Sequence, residues 1–201
     1  MPQKPHRSHA ARVRPMLPKS THRRNFNLQG HAHELTFSCY QRLQFLRAER
    51  SCNWLIESLE AARHEKDFAV WAYVIMPEHA HLLIWPQSSE YNISEIRRVI
   101  KEPVGRNAIA FLEENSPRWL SRVTRKRGRK TERLFWQSGG GYDRNIESPH
   151  VLQAVIEYIH LNPVRRGLAQ APQDWHWCSA AHYAGGISPL IPDQIPTDWI
   201  E

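Results

Sequence analysis

No stretch of this 201-residue chain approaches the ~20 consecutive apolar residues that a membrane helix needs. Cysteine is scarce: Cys39, Cys52 and Cys178 are odd in number, far apart and without a Cys-x-x-Cys pair, which excludes a disulfide framework and a zinc ribbon. A signal-peptide apolar stretch is also missing, so a reducing cytosol is the expected setting. Acidic residues are missing altogether from positions 1–33, which carry seven Lys/Arg: Lys4, Arg7, Arg12, Arg14, Lys19, Arg23 and Arg24. The other 20 Lys/Arg balance all 20 Asp/Glu, so the whole net charge of +7 sits at this end. Pro2, Pro5, Pro15 and Pro18 argue against a stable helix there, and the amphipathic pattern of a transit peptide is lacking. Residues 1–24 therefore read as a basic, disordered arm that meets phosphates.

What is present suffices for one domain. Apolar residues make up 41% of the chain, with eight Trp, six Tyr and six Phe, enough for a substantial core. The expected division is an arm over 1–24, a domain over 25–185 and a loose tail over 186–201. Residues 33–40 partly alternate and predict a strand. Cys52, Leu55, Ile56, Leu59 and Ala62 recur at helical spacing. Residues 68–76 and 79–85 predict two strands joined by the turn Pro77-Glu78. Residues 94–114 predict a helix kinked or interrupted by Pro103, and 125–130 a basic loop. Residues 134–146 predict a strand broken by three glycines. A helix should then start at Ser148-Pro149 and stop at Pro163. The order implies an α+β, ferredoxin-like βαββαβ domain with a mainly antiparallel sheet and an extra C-terminal helix.

The tripeptide His-Ala-His occurs twice, at 31–33 and 79–81. Residues two apart in a strand share a face, so either pair could offer two imidazoles to one ion, or could simply be half-exposed strand histidines. The first copy follows Gly30 and a polar stretch, which predicts the frayed start of an outer element. The second lies between Val74-Ile75-Met76 and Leu82-Leu83-Ile84, where two polar side chains need a partner. It is the better candidate metal site. On the 148–162 helix, Tyr158 and Asn162 are four apart and share a face at the edge of the apolar stripe Leu152, Val155, Ile156, Ile159. Spacing alone fits rim packing for Tyr158 and a helix stop for Asn162 equally well.

The segments VIMPEHAHLLIWP, FWQSGGGYDRNI and YIHLNPVRRGLA…DWHWCSAAHY together resemble the REP-associated tyrosine transposases, a branch of the single-tyrosine HUH transposases. The likeness spans roughly 31–185. It implies His79, His81 and Asn162 as ligands of a divalent ion, Mg²⁺ or Mn²⁺, and Tyr158 as nucleophile. It also implies a DNA nicking and joining enzyme that acts on single-stranded DNA hairpins of short imperfect palindromes through a 5′-phosphotyrosine, as a monomer or homodimer in the cytoplasm at the nucleoid. Three positions depart from the family pattern: Ala80 is smaller than usual, Glu78 stands where Asn is common, and Gly139-Gly140-Gly141 replaces a more substantial stretch.

Candidate phosphate contacts are Lys101, the cluster Arg125, Lys126, Arg127, Arg129 and Lys130, which could also be plain solvated surface, and Arg165-Arg166; Trp136 and Tyr142 could stack bases or equally well be ordinary packing residues. Two other readings stay open. One is a catalytically silent protein that marks repeat hairpins. The other is a zinc hydrolase, since two imidazoles suit Zn²⁺ equally, although no matching carboxylate is evident.

Overall fold

The computed structural model describes residues 27–200, so the expected arm over 1–24 lies outside the described residues. The elements are β1 (Ala32–Ser38), α1 (Glu49–Glu65), β2 (Phe68–Met76), β3 (His79–Pro86), α2 (Ile93–Asn115), α3 (Pro117–Val123), β4 (Thr124–Arg127), β5 (Lys130–Arg133), β6 (Tyr142–Ile146), α4 (Pro149–Arg165) and α5 (Ala180–Tyr183). The main sheet runs β2-β3-β1-β6 with every pair antiparallel. With the α3–β4–β5 insertion set aside, this is the ferredoxin-like βαββαβ order, followed by α4.

The two-residue period of the strands divides the core into two layers. Leu35, Phe37, Leu82 and Ile84 pack with Leu55 and Leu59 of α1 and with Ile96 and Ile100 of α2. Val74, Met76 and Leu83 face the other way, onto Leu152, Val155 and Ile159 of α4. The register pairs His33 with Ile84 but Thr36 with His81 and Ser38 with His79. The two His-Ala-His copies thus lie on opposite faces of one sheet. Nor is the first copy at an outer element, as its polar flank suggested. β1 is an interior strand, and His33 is fully buried between Asp143, at 2.8 Å from its Nδ1, and the Tyr91 hydroxyl, at 2.7 Å from its Nε2.

Neither proline interrupts its helix. α2 continues through Pro103 to Asn115, and α4 through Pro163 to Arg165. A proline withholds the N–H owed to the carbonyl four residues earlier, and in both helices a side chain makes up for it. The Ser58 hydroxyl, from α1, donates to the carbonyls of Ile100 at 2.8 Å and Val99 at 3.4 Å, the latter being the group Pro103 leaves without a donor. In α4 the Asn162 amide Nδ2 donates to the carbonyls of Tyr158 at 2.8 Å and Ile159 at 3.5 Å. Ser58→Ala is expected to destabilise the fold by about 1–2 kcal/mol, the cost of leaving the part-buried Val99 carbonyl unpaired and removing a second bond to Ile100. In a Pro103→Ala background, which restores the backbone donor, the same change should cost clearly less. Urea unfolding of the double-mutant cycle checks this; an unchanged cost would show that Ser58 acts by packing alone.

The other departures are local. The basic segment 125–130 is a β-hairpin, β4–β5, turning at Gly128 with φ +60. Only 142–146 of the strand predicted over 134–146 forms, because Phe135 and Trp136 turn into the core. The tail over 186–200 is pinned rather than loose. β2 is an edge strand, and its open hydrogen-bonding side is closed by later chain. Ile75 N–H donates to Trp177 O, Val70 N–H to Asp193 Oδ2, and Asp193 N–H to Val70 O. Trp199 seals the end against Trp71, with ring centroids 5.3 Å apart. Among the described residues no helix is long and apolar enough to cross a membrane.

Candidate active site

β3 begins at His79, immediately after the turn Pro77-Glu78, and its alternation sends His79 and His81 together to the α4 side. Their Nε2 atoms lie 3.1 Å apart. Each ring is held from behind at Nδ1, His79 by Glu78 Oε1 at 3.2 Å and His81 by Thr36 Oγ1 at 2.8 Å. Burial holds the His79 pKa below its ordinary value against the opposing pull of Glu78. For His81, burial pushes it down to about 3, with His79 and Arg42 adding to the effect. Both rings are therefore neutral near pH 7, the form that ligates a metal.

The tautomers follow from the partners. Glu78 is buried, which raises its pKa, but the Arg166 hydrogen bond and the nearby His79 and Arg42 outweigh this and keep it a carboxylate. A carboxylate only accepts, so His79 carries its proton on Nδ1 and points a lone pair from Nε2. Thr36 can donate or accept, so His81 can carry its proton on either nitrogen. With the proton on Nδ1, both Nε2 lone pairs converge on one point. A cation ~2.1 Å from each nitrogen would subtend about a right angle at this 3.1 Å spacing, as in octahedral coordination. The donor set thus fits a divalent ion.

The third group comes from α4. Tyr158, Asn162 and Arg166 are spaced by four and form one stripe. At one end the Tyr158 ring meets His81 edge-on, with centroids 5.4 Å apart. At the other, Arg166 Nη1 donates to Glu78 at 2.9 Å. The eight-residue rise of the helix, ~12 Å, matches the three-residue span from Glu78 to His81, ~10 Å. Asn162 lies midway along this stripe and is buried. Its Nδ2 is engaged with the helix backbone, and among the described residues its Oδ1 takes no hydrogen bond. No cluster of three His, Cys, Asp or Glu side chains that could hold a metal occurs among the described residues.

Tyr158 itself is 40% exposed. It borders a cavity of about 600 Å³ shared with His81, Thr36 and Tyr142. Arg165 lies over its ring, Cζ at 5.3 Å from the centroid. Gly141, at φ +72, lets the chain enter β6 hard against the backbone of Thr36, where a Cβ would fall on the Thr36 carbonyl oxygen. The triple glycine thus helps fix the strand that orients His81.

The expected DNA contacts divide. Lys126, Arg127, Arg129 and Lys130 are exposed on the β4–β5 hairpin, and Arg125 there pairs with Glu132 at 2.6 Å. Arg165 is exposed, whereas Arg166 is bound to Glu78. Lys101 turns its Nζ to the Gly139 carbonyl at 3.5 Å. Trp136, offered as a stacking residue, is buried, with its Nε1 donating to Lys101 O, so it packs rather than stacks bases. Tyr142 is 39% exposed beside Tyr158. A larger cleft, about 810 Å³, lies apart from this chemistry along α2. Its Arg98, Arg106 and Arg133 are each paired with a glutamate, which leaves it a weaker candidate for anions.

Thr36, Arg42 and the orienting role of Glu78 were missed from sequence. Only Glu78 left a signal, an acid directly before His79.

No protein-family model and no curated protein matches the chain. Among solved structures it is similar to a REP-associated tyrosine transposase bound to a REP hairpin, with 18% identity over 88% of this chain and 94% of that one, at a TM-score of 0.63. A transposase structure from Deinococcus radiodurans aligns with 68% of this chain and 95% of its own, at 17% identity and a TM-score of 0.43. The first likeness shows that this chain has the fold of a REP-associated tyrosine transposase.

Proposed function

We propose that the chain is a metal-dependent endonuclease and strand transferase that acts on single-stranded DNA hairpins of palindromic repeats through Tyr158. One observation carries this reading: the Tyr158 ring lies edge-on to His81, whose Nε2 converges with that of His79, with Asn162 one helical turn further on. The shared fold with a hairpin-bound transposase supports it.

His79, His81 and Asn162 would hold Mg²⁺ or Mn²⁺, which supplies Lewis-acid polarisation of a phosphate oxygen. A zinc hydrolase fits less well, because among the described residues no third His, Cys or carboxylate completes a site with the pair. The protein residues do the rest. Glu78 keeps the His79 lone pair on Nε2, Thr36 can accept a hydrogen bond from His81 Nδ1 so that the His81 Nε2 is free as well, and Arg42 and Arg166 keep Glu78 charged. The Tyr158 oxygen forms a bond to the scissile phosphorus as the P–O3′ bond breaks. The phenol gives up its proton and the leaving 3′ oxygen takes one up, leaving a 5′-phosphotyrosine and a free 3′-OH. Return attack by a 3′-OH rejoins DNA. The basic arm and the β4–β5 hairpin add general affinity for phosphates. The setting is cytoplasmic.

Incubation with single-stranded hairpins and Mn²⁺ should yield a protein–DNA adduct that survives denaturation. Hairpin binding without any adduct would mark a silent binding protein instead. Asn162→Ala should raise the Mn²⁺ concentration needed for adduct formation by at least the ~10–100-fold that loss of an outer-shell partner costs. Saturating Mn²⁺ should recover much of the rate, because a weakened site refills by mass action. A deficit indifferent to Mn²⁺ concentration would remove Asn162 from the ligand set.

A further inference from the structure

At the end of the sheet where β3 begins, but on the α1–α2 side, an aromatic cleft of about 250 Å³ opens between α1, α2 and α3. Phe45 and Phe135 stack at 5.3 Å and 24°, and Trp119 meets Phe45 edge-on at 5.9 Å. Two guanidinium groups lie over its rings, Arg50 at 3.9 Å from the Phe111 centroid and Arg122 at 4.4 Å from that of Trp119. Trp119 is 41% exposed, an unusual position for the largest apolar side chain. α3 runs from Trp119 directly into the β4–β5 hairpin, whose one acid, Glu132, faces six Lys/Arg over 124–133.

The cleft is tied to the active-site end by backbone hydrogen bonds. Leu46 N–H donates to Pro77 O at 2.9 Å, Cys39 N–H to Glu78 O at 2.8 Å and Tyr40 N–H to Phe135 O at 2.8 Å. Leu46 directly follows the wall residue Phe45, and Cys39-Tyr40 join Glu78 to the wall residue Phe135, so the cleft is linked through one intervening residue to the turn that precedes His79. A strand rounding this end of the sheet could engage both places.

We propose that this cleft is a nucleobase site, which takes one unpaired base of the same DNA strand that is presented to Tyr158 while the β4–β5 cations hold the flanking phosphates. The proposal rests on the single-stranded DNA reading above. Its size, below the ~300–1,000 Å³ of a drug-sized site, restricts the occupant to a single ring system. The lining favours a flat π-faced ligand, because bases stack on Trp and Phe without regard to sequence and guanidinium groups stack with them. An apolar peptide anchor would fill the rings but would leave the hairpin cations beside it without an anion.

The test uses the full chain carrying Tyr158→Phe, which cannot cleave, and a hairpin whose unpaired flanking positions are replaced one at a time by 2-aminopurine. One position is expected to lose its fluorescence on binding. Adding Trp119→Ala should restore that fluorescence and weaken affinity about tenfold, with an unchanged salt slope. Trp119→Phe should keep most of both effects. A hairpin trimmed of its unpaired flanks should bind both proteins equally. Lys126→Ala with Arg129→Ala should do the reverse, flattening the salt dependence while leaving the quenched position in place. The proposal is overturned if no position is quenched, if Trp119→Ala weakens trimmed and full hairpins alike, or if it moves no DNA readout, as a protein-docking cleft would. If the Tyr158→Phe parent binds no hairpin at all, the DNA reading itself falls. A parent that binds normally beside an indifferent Trp119→Ala sinks the base site alone.

Discussion

Tyr158→Phe protein is expected to fold, bind Mn²⁺ and bind hairpin DNA as the wild type does, yet to form no covalent adduct. The substitution removes one oxygen from a ring that is 40% exposed, and the ring contacts that position it, edge-on to His81 and under Arg165, need no hydroxyl. Stability should therefore change by no more than the few tenths of a kcal/mol typical of surface changes. Cleavage should fall by a factor on the order of 10⁴ or more, as when a covalent nucleophile is deleted. Denaturing gels of the labelled hairpin read both outcomes. If the variant nicks DNA at the wild-type rate, water is the nucleophile and the site is hydrolytic. Tyr158 would then be a rim residue.

The second large effect separates the two histidine pairs. His79→Ala with His81→Ala should abolish Mn²⁺-dependent cleavage and remove the tight Mn²⁺ site, because both converging lone pairs are lost. His31→Ala should leave most of the activity, since its ring lies just before β1 and makes a long 3.4 Å contact with Asn145. His33 is unsuitable as the control. It is fully buried and bonded to Asp143 and Tyr91, so its removal would strip the buried Asp143 carboxylate of its 2.8 Å hydrogen bond, leaving it the 3.8 Å Arg97 contact, and harm the fold. Mn²⁺ binding by calorimetry, run beside the cleavage assay, distinguishes loss of the ion from loss of structure. Equal loss on changing position 31 would dismiss the assignment of the second pair.

Helix and strand types were legible because their signals are local. The apolar spacing over 52–62 is α1, the near-continuous apolar run over 68–76 is buried β2, and His79 to Trp85 is β3. The shared face of His79 and His81 follows from a period of two, and that of Tyr158 and Asn162 from a spacing of four. What misled was proline and polarity taken alone. Pro103 and Pro163 stay inside their helices because Ser58 and Asn162 supply the donors the prolines lack. For Pro103 that donor lies 45 positions away in the chain. The basic stretch 125–130 has the composition of a loop, yet Gly128 at positive φ makes it a hairpin turn.

By itself, then, the sequence determined the βαββαβ order, which residue pairs share a face, and that the charge excess lies in the first 33 positions. These depend on periodicity and composition, which neighbouring residues carry among themselves. Only the tertiary structure decided that the two His-Ala-His copies face opposite layers, and that α4 lies along β3 so that Tyr158 meets His81 and Arg166 meets Glu78. It also decided that Trp136 belongs to the core and that residues 186–200 close the β2 edge. Each of these turns on which distant group satisfies a buried polar atom or an open strand edge. Burial makes such a partner obligatory, but it is the packing of layers that chooses which one.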